Sequence, residues 1–214
     1  MAAPSESTVK GESRRSRRAA ETRSKLLEAS AELLTERGYS RLATAAVAER
    51  AGVAHGTLFK HFATKSELMA ATTELVLEDV IGEFLRMAQE FAGQPEPIDQ
   101  ALGAVWSLFR SDRLQATLEL YVAARTDESL RGALRPIFTT HRSAFLLAAR
   151  ALLPSTADAA HFESNVTGIL ATLLGGALLW SVAPEPDFFQ SELAFVDRIA
   201  RAELARLGSK GGTE

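Results

Sequence analysis

Residues 44–62 read TAAVAERAGVAHGTLFKHF, and the rest of the chain is arranged around them. Thr44 is placed to cap a helix, since its hydroxyl can accept a bond from a free first-turn amide. Val47, Ala48 and Ala51 then share a helical face, and Gly52 stands where a left-handed residue ends a helix easily. A second helix is expected from about Ala54 to His61, with Leu58 and Phe62 turned inward. Ala48 is small where two steeply crossing helices must approach closely. Two short helices around a tight turn form the pattern of a DNA-binding helix-turn-helix. An ordinary amphipathic hairpin has the same apolar spacing, so the surface has to discriminate. His55, Gly56, Thr57, Phe59, Lys60 and His61 lie off the apolar anchor, and no carboxylate occurs from Ala51 to Lys65. An acid-free surface of donors and small residues suits a groove lined with phosphates.

The longer run AERAGVAHGTLFKHFATKSEL, residues 48–68, resembles the signature of the TetR family of transcriptional regulators. The features that carry the resemblance are Ala51-Gly52-Val53 at the turn, Gly56-Thr57-Leu58-Phe59 in the second helix, His61-Phe62, and Lys65 opening the next helix. The likeness covers about the first third of the chain. It implies a homodimer that binds a palindromic operator through its head and a small-molecule effector in a helical body. Thr57, His55 and Lys60 are then placed to reach base edges or nearby phosphates. Thr44, Phe59, His61 and Lys65 fit backbone positioning, and Gly56 belongs to the same surface. The chain departs from the family pattern at four places. Phe59 stands where Tyr is frequent, which removes one phosphate bond. Ala54 stands where Ser is frequent, which removes the usual cap of the second helix. Lys60 replaces an aromatic and adds a charge, and Ala63 replaces a frequent Pro.

Charge sets the head apart. Residues 1–65 hold 12 Lys and Arg against 7 Asp and Glu, a balance of +5, and residues 66–214 hold 12 against 20, a balance of −8. The two sum to the net −3 of the whole chain. A basic head on an acidic body means that only the head meets a polyanion. Residues 1–16 are polar and aperiodic and are expected to form a disordered basic tail. Arg14, Arg15, Arg17 and Arg18 cluster before the first helix. Such a cluster reaches phosphates or a minor groove, or serves only as a solubilising tail. There is no Cys, hence no disulfide and no thiolate chemistry. The N-terminus lacks an apolar signal core, so a cytoplasmic location is expected.

Beyond the head the chain reads as helices only, giving an all-α fold with a helix-turn-helix domain at 17–65 and a body at 66–214. A first helix from about Ala19 to Arg37, with Leu26, Ala29, Leu33 and Leu34 on its stripe, braces the motif; Tyr39 and Leu42 close the small core. Thr64 and Glu67 form a capping box for a rod running to Phe91, and the linker GQPEP, 93–97, follows. Further helices are marked by Ile98–Phe109, by Leu114–Arg125, and by Leu130–Leu152 after an Asp127 cap. Pro136 should kink or break the last of these. Residues 166–182 are almost continuously apolar. A membrane span competes here, but the run is short, holds three Gly and lacks flanking Lys or Arg. A helix apolar all round is otherwise buried on every side, one of them by a second copy. Gly168, Thr172, Gly175, Gly176 and Leu179, with Leu193, Val196, Ala200 and Leu204 on the final helix, are therefore assigned to a dimer interface.

Other chemistry is hard to find. The four His are not paired at metal-ligand spacing, no nucleophile elbow occurs, and no Gly-rich phosphate loop follows a strand. Neither an enzyme, a metal site nor a cofactor is expected. His141 and Arg125 lie on apolar stripes, where a core His and a snorkelling Arg are the plain reading. The alternative is an effector pocket with few polar groups, lined by Trp106, Phe109, Leu118, Tyr121, Arg125, Phe138, His141, Phe145, Leu170 and Leu174. Three functions remain: a ligand-released repressor, a helical ligand-binding or oligomeric protein that does not read DNA, and a membrane-associated helical protein.

Overall fold

The computed structural model describes residues 6–91, 97–152 and 161–208. Among them no strand occurs, and nine α-helices follow one another: α1 Glu6–Arg37, α2 Thr44–Arg50, α3 His55–His61, α4 Lys65–Phe91, α5 Pro97–Phe109, α6 Asp112–Ala123, α7 Glu128–Leu152, α8 Phe162–Trp180 and α9 Pro186–Gly208. A 3-10 turn, Tyr39–Arg41, separates α1 from α2. The chain forms two compact units. One comprises Met1–Leu75 with Glu119–Leu134, and the other Val76–Leu118 with Arg135–Glu214. The division expected after residue 65 follows chain order. The compact first unit instead reaches farther along α4 and takes in the α6–α7 turn.

In the first unit, Leu26, Ala29, Leu33 and Leu34 of α1 are buried together with Leu42, Val47, Ala48, Leu58, Phe62, Leu68 and Met69. Each buried Leu side chain contributes about 1.5–3 kcal/mol over an exposed one. Gly38 ends α1 at φ 71° and Gly52 ends α2 at φ 69°, the left-handed region that favours glycine. At Gly52 the cap is complete. The Gly52 amide donates to the Glu49 carbonyl at 3.0 Å, and the Val53 amide to the Ala48 carbonyl at 2.9 Å. Both bonds satisfy carbonyls that the helix end would orphan. The Thr64–Glu67 box forms as well. The Glu67 amide donates to Thr64 Oγ1 at 3.1 Å, and the Ala63 amide donates to the Glu67 carboxylate at 2.7 Å.

Two expectations for this unit change. Helix α1 starts at Glu6 rather than near Ala19, so the tail expected to be disordered over 1–16 is helical from Glu6. The run carries no Pro and no apolar stripe, and periodicity alone gives no sign of a fully polar helix. Thr44 does not cap α2. Ala43 occupies the cap position and gives no side-chain bond, because the Thr44 hydroxyl pairs with His55 instead.

In the second unit α8 packs on α9 and α5, and α5 packs on α9. Val105, Trp106, Phe109, Leu114, Leu146, Ala148, Phe162, Leu173, Ala177 and Val196 are buried. The linker at 93–97 lies outside the described residues except for Pro97, which opens α5 at a position that tolerates a missing amide hydrogen. Helix α6 ends at Ala123, so Arg125 sits in the following turn rather than on a helical stripe. Helix α7 runs through Pro136 without a break. Proline leaves the carbonyl four residues earlier without its partner; that residue is Gly132, which is exposed, so water can take the bond.

Helix α8 is long and apolar enough to cross a membrane by length and composition, yet it is not buried all round. Leu173, Gly176 and Ala177 face the unit's own core, while Gly168, Gly175, Leu178 and Leu179 face outward. Gly168, Thr172, Gly175 and Leu179 fall at i, i+4, i+7 and i+11, one outward stripe. Gly176 therefore belongs to the inner face. On α9 the assignment inverts. Val196 is only 1% exposed, and Leu193 and Ala200 are half-buried, while Phe195 and Ile199 point out. Both stripes are apolar, so sequence spacing does not choose between them. The Leu204 side chain lies outside the described residues.

Candidate nucleic-acid interface

Helix α3 is anchored by Leu58, which is fully buried. Its cap position, Ala54, has no side chain to offer, and the Thr57 amide closes on the Ala54 carbonyl at 2.8 Å. His55, Gly56, Phe59 and Lys60 are exposed; Thr57 and His61 are half-buried. A Cβ added at Gly56 would meet nothing within 4 Å, so the fold itself does not require glycine there. Thr44 Oγ1 lies 3.0 Å from His55 Nε2, joining the first residues of α2 and α3. The other side of the His55 ring meets Phe59 edge-on, with centroids 5.0 Å apart. Thr44, His55 and Phe59 thus form one ordered, acid-free corner that joins the starts of both short helices and continues along α3.

The first unit also carries exposed cations. Arg14, Arg15, Arg17 and Arg18 are exposed on α1. Arg23, which sequence spacing does not single out, holds its guanidinium 5.2 Å from the Phe62 ring centre. Two carboxylates of α1 are neutralised from within the unit. Arg50 of α2 donates to Glu32 at 3.0 Å and to both oxygens of Glu36 at 2.9 and 2.8 Å. This bonding holds the Glu36 carboxyl below its usual range.

Lys65 behaves differently from the other expected contacts. Its ammonium donates to the Tyr39 carbonyl at 3.1 Å and lies 4.2 Å from the centre of the Tyr39 ring. Partial burial pulls its pKa below the ordinary lysine value, against the opposing charge of Asp127. Lys65 is thus engaged with the 3-10 turn.

The ten residues expected around a pocket fall in both units. Tyr121 and Arg125 belong to the first unit and the other eight to the second. Arg125 and Phe138 are exposed, Phe138 by 54%. His141 is buried and its Nδ1 donates to the Ile137 carbonyl at 2.8 Å, which is the plain reading of that residue. Phe145 meets Phe84 of α4 at 6.2 Å, and Trp106 meets Trp180 edge-on at 6.3 Å. The Arg110 guanidinium lies 4.0 Å from the Trp180 centroid. Phe109 is buried, and Leu118, Leu170 and Leu174 are half-buried. Sequence spacing misses Phe84, Arg110 and Trp180, because their partners come from distant helices. A separate open cleft in the second unit is lined by Arg142, Arg150, Glu163, Ser164, Thr167, Gly168 and Ala171, none of them in the expected pocket. No cluster of metal-ligating side chains occurs among the described residues.

The geometry of the head has counterparts. Residues 26–72 match the family model described as bacterial regulatory proteins, tetR family. An uncharacterised HTH-type transcriptional regulator of Mycobacterium tuberculosis is 30% identical over 189 residues, covering 86% of this chain and 95% of its own. A transcriptional regulator from Rhodococcus sp. Rha1 superposes with a TM-score of 0.66 at 23% identity, over 84% of this chain and 96% of its own. The regulator FadR from Bacillus subtilis, solved with stearoyl-CoA, superposes at 0.59 with 18% identity, over 84% and 96%. The last two likenesses speak to fold, the first to kinship. The chain belongs to the TetR family of bacterial transcriptional regulators, and α2 and α3 are its DNA-binding helix-turn-helix.

Proposed function

We propose that the protein is a cytoplasmic homodimeric repressor that binds a palindromic operator and is released by an apolar small molecule. The observation that carries this reading is the acid-free corner of Thr44, His55 and Phe59, which joins the N-terminal ends of α2 and α3 and continues along α3. Helix α3 enters the major groove. Thr57, His55 and Lys60 reach base edges, and Gly56 leaves the backbone open to close approach. Thr44, His61 and Phe59 fix the register on the phosphates, with Phe59 acting by packing. Arg17 and Arg18 extend the basic surface along α1. Lys65 holds the start of α4 through Tyr39 and contributes charge at short range.

Dimerisation is supported by the outward apolar residues of α8 and α9, Leu178, Leu179, Phe195 and Ile199. Two-fold symmetry sets the half-sites about 34 Å or a near multiple apart. The fold neighbour solved with an acyl-CoA and the aromatic content of the body support an apolar effector. To shift the protein from mostly bound to mostly free, that effector must prefer the released form by about 10⁴-fold. By reciprocity, operator DNA lowers effector affinity by the same factor.

Selection from random duplexes, followed by titration at several salt concentrations, tests the reading. Lys60→Ala should weaken binding by about 1–3 kcal/mol and relax one base position. If Lys60 touches only phosphate, binding weakens evenly and the salt slope falls by about one. Binding untouched by both Lys60→Ala and Thr57→Ala would remove α3 as the reader and leave a helical protein without specific DNA recognition.

A further inference from the structure

The 3-10 turn between α1 and α2 is held from four directions inside the first unit. The Tyr39 amide donates to the Glu119 carboxylate at 2.9 Å, and the Tyr39 phenol donates to Asp127 Oδ2 at 3.3 Å. Lys65 donates to the Tyr39 carbonyl and covers its ring. Gly38, immediately before, stands so close to Glu119 that a Cβ there would lie 2.8 Å from its carboxylate oxygen. The same Asp127 caps α7, accepting the Leu130 amide on Oδ1 at 2.9 Å. One residue of the head is therefore gripped by the end of α6, by the start of α7 and by the start of α4. Helices α6 and α7 continue out of this unit, leaving it at 118 and 134. Tyr39 itself is only three residues from Leu42, which is buried just before α2 and whose amide donates to the Tyr39 carbonyl at 3.3 Å.

We infer that Glu119, Asp127 and Tyr39 are positioning residues for operator binding: they hold the helix-turn-helix against the α6–α7 turn while touching no DNA. The grip is polar and built from single bonds, so it has discrete made and broken states. A packed apolar seam yields only by losing volume complementarity. A displacement of the α6–α7 turn would reach α2 through the 3-10 turn, in parallel with the α4 rod. The inference rests on the DNA-binding reading above.

The experiment compares wild type, Tyr39→Phe, Glu119→Ala and Glu119→Gln on the duplex recovered by selection, well below their melting temperatures. Tyr39→Phe keeps the ring under Lys65 and removes only the bond to Asp127. Expected are operator dissociation constants raised about threefold to tenfold for Tyr39→Phe and Glu119→Ala. Base preference and salt slope should be unchanged, because no DNA contact is lost, and Glu119→Gln, which keeps an acceptor for the Tyr39 amide, should recover most of the affinity. Amides of residues 44–62 should exchange faster in the two weakened variants. Wild-type affinity in both variants, whatever their melting temperatures, overturns the inference and leaves the grip purely structural. So does a changed salt slope. Should Glu119→Ala fail to fold, Tyr39→Phe alone decides. If the wild-type chain selects no duplex at all, it is the DNA-binding reading that fails.

Discussion

The head and the α8–α9 pair use apolar residues in opposite ways. In the head the large apolar residues at the centre of the motif turn inward: Leu26, Leu33, Leu34, Val47 and Leu58 are each at most 1% exposed. What remains outside on α3 is His55, Gly56, Phe59 and Lys60. On α8 and α9 the inner stripe is satisfied by α5 and by the pair itself, yet Leu178, Leu179, Phe195 and Ile199 remain 40–53% exposed. The head is complete as a folded object and incomplete chemically, waiting for a polyanion. The pair is unfinished as a folded object and presents a surface that water serves poorly.

Four changes probe that contrast, beginning with the largest. Leu58→Ala removes the sole buried anchor of α3 and should destabilise the first unit by about 2–5 kcal/mol, read by chemical denaturation. A loss under 1 kcal/mol would mean the head is not self-contained. Leu179→Asp with Ile199→Asp should raise the dimer dissociation constant about tenfold or more, seen by sedimentation, while leaving the helical circular dichroism of each chain intact. Gly175→Leu sharpens the same point, since Gly175 faces open space and Gly176 faces the protomer's own core. Association unchanged in all of these variants would separate the exposed apolar stripe from dimerisation. Gly56→Ala should stabilise α3 by about 0.5–1 kcal/mol, because nothing in the protomer crowds it, while weakening operator binding. Unaltered binding would show that backbone approach at Gly56 is unused.

The smallest effect is alkaline. Burial first, then Asp127, raises the Tyr39 phenol above 10.0, and burial raises Tyr121. A group whose folded pKa is raised contributes stability that is fully present below 10.0 and lost as pH rises through the folded value. Lys65, lowered by burial from 10.5, works in the opposite sense just below that value. Stability by urea titration should therefore decline above pH 10, and Tyr39→Phe should make the decline shallower. A slope that does not respond to Tyr39→Phe would mean its phenol titrates as if unfolded.

What sequence reveals here is what is local. Gly52, the Thr64–Glu67 box and the Asp127 cap act within five residues, and each forms as its residue types require. Leu58 and Val47 are legible because a single apolar stripe leaves one choice of inner face. Contacts across long separations are not legible. The Thr44 hydroxyl is taken by a histidine eleven residues away, and Tyr39 is met by Asp127 from 88 residues away. Nor is the outward face of α9, where two apolar stripes compete and only packing against α8 and α5 selects one. The lining of a pocket is not legible for the same reason: an aromatic on a helix stripe reports burial without naming its neighbour.

The placement of the aromatic chromophores has an optical consequence. The chain has two tryptophans and two tyrosines. Trp106 and Trp180 stand ring to ring in the second unit beside Arg110, and Tyr39 and Tyr121 both lie in the first. Indole emission is therefore a reading of the body alone, from one spot at the ends of α5 and α8. Phenol ionisation, followed by ultraviolet difference absorbance, is a reading of the head unit alone. The molecule carries a separate intrinsic dye for each of its halves, and their melting, or the arrival of a ligand in one of them, can be watched independently without attaching a label.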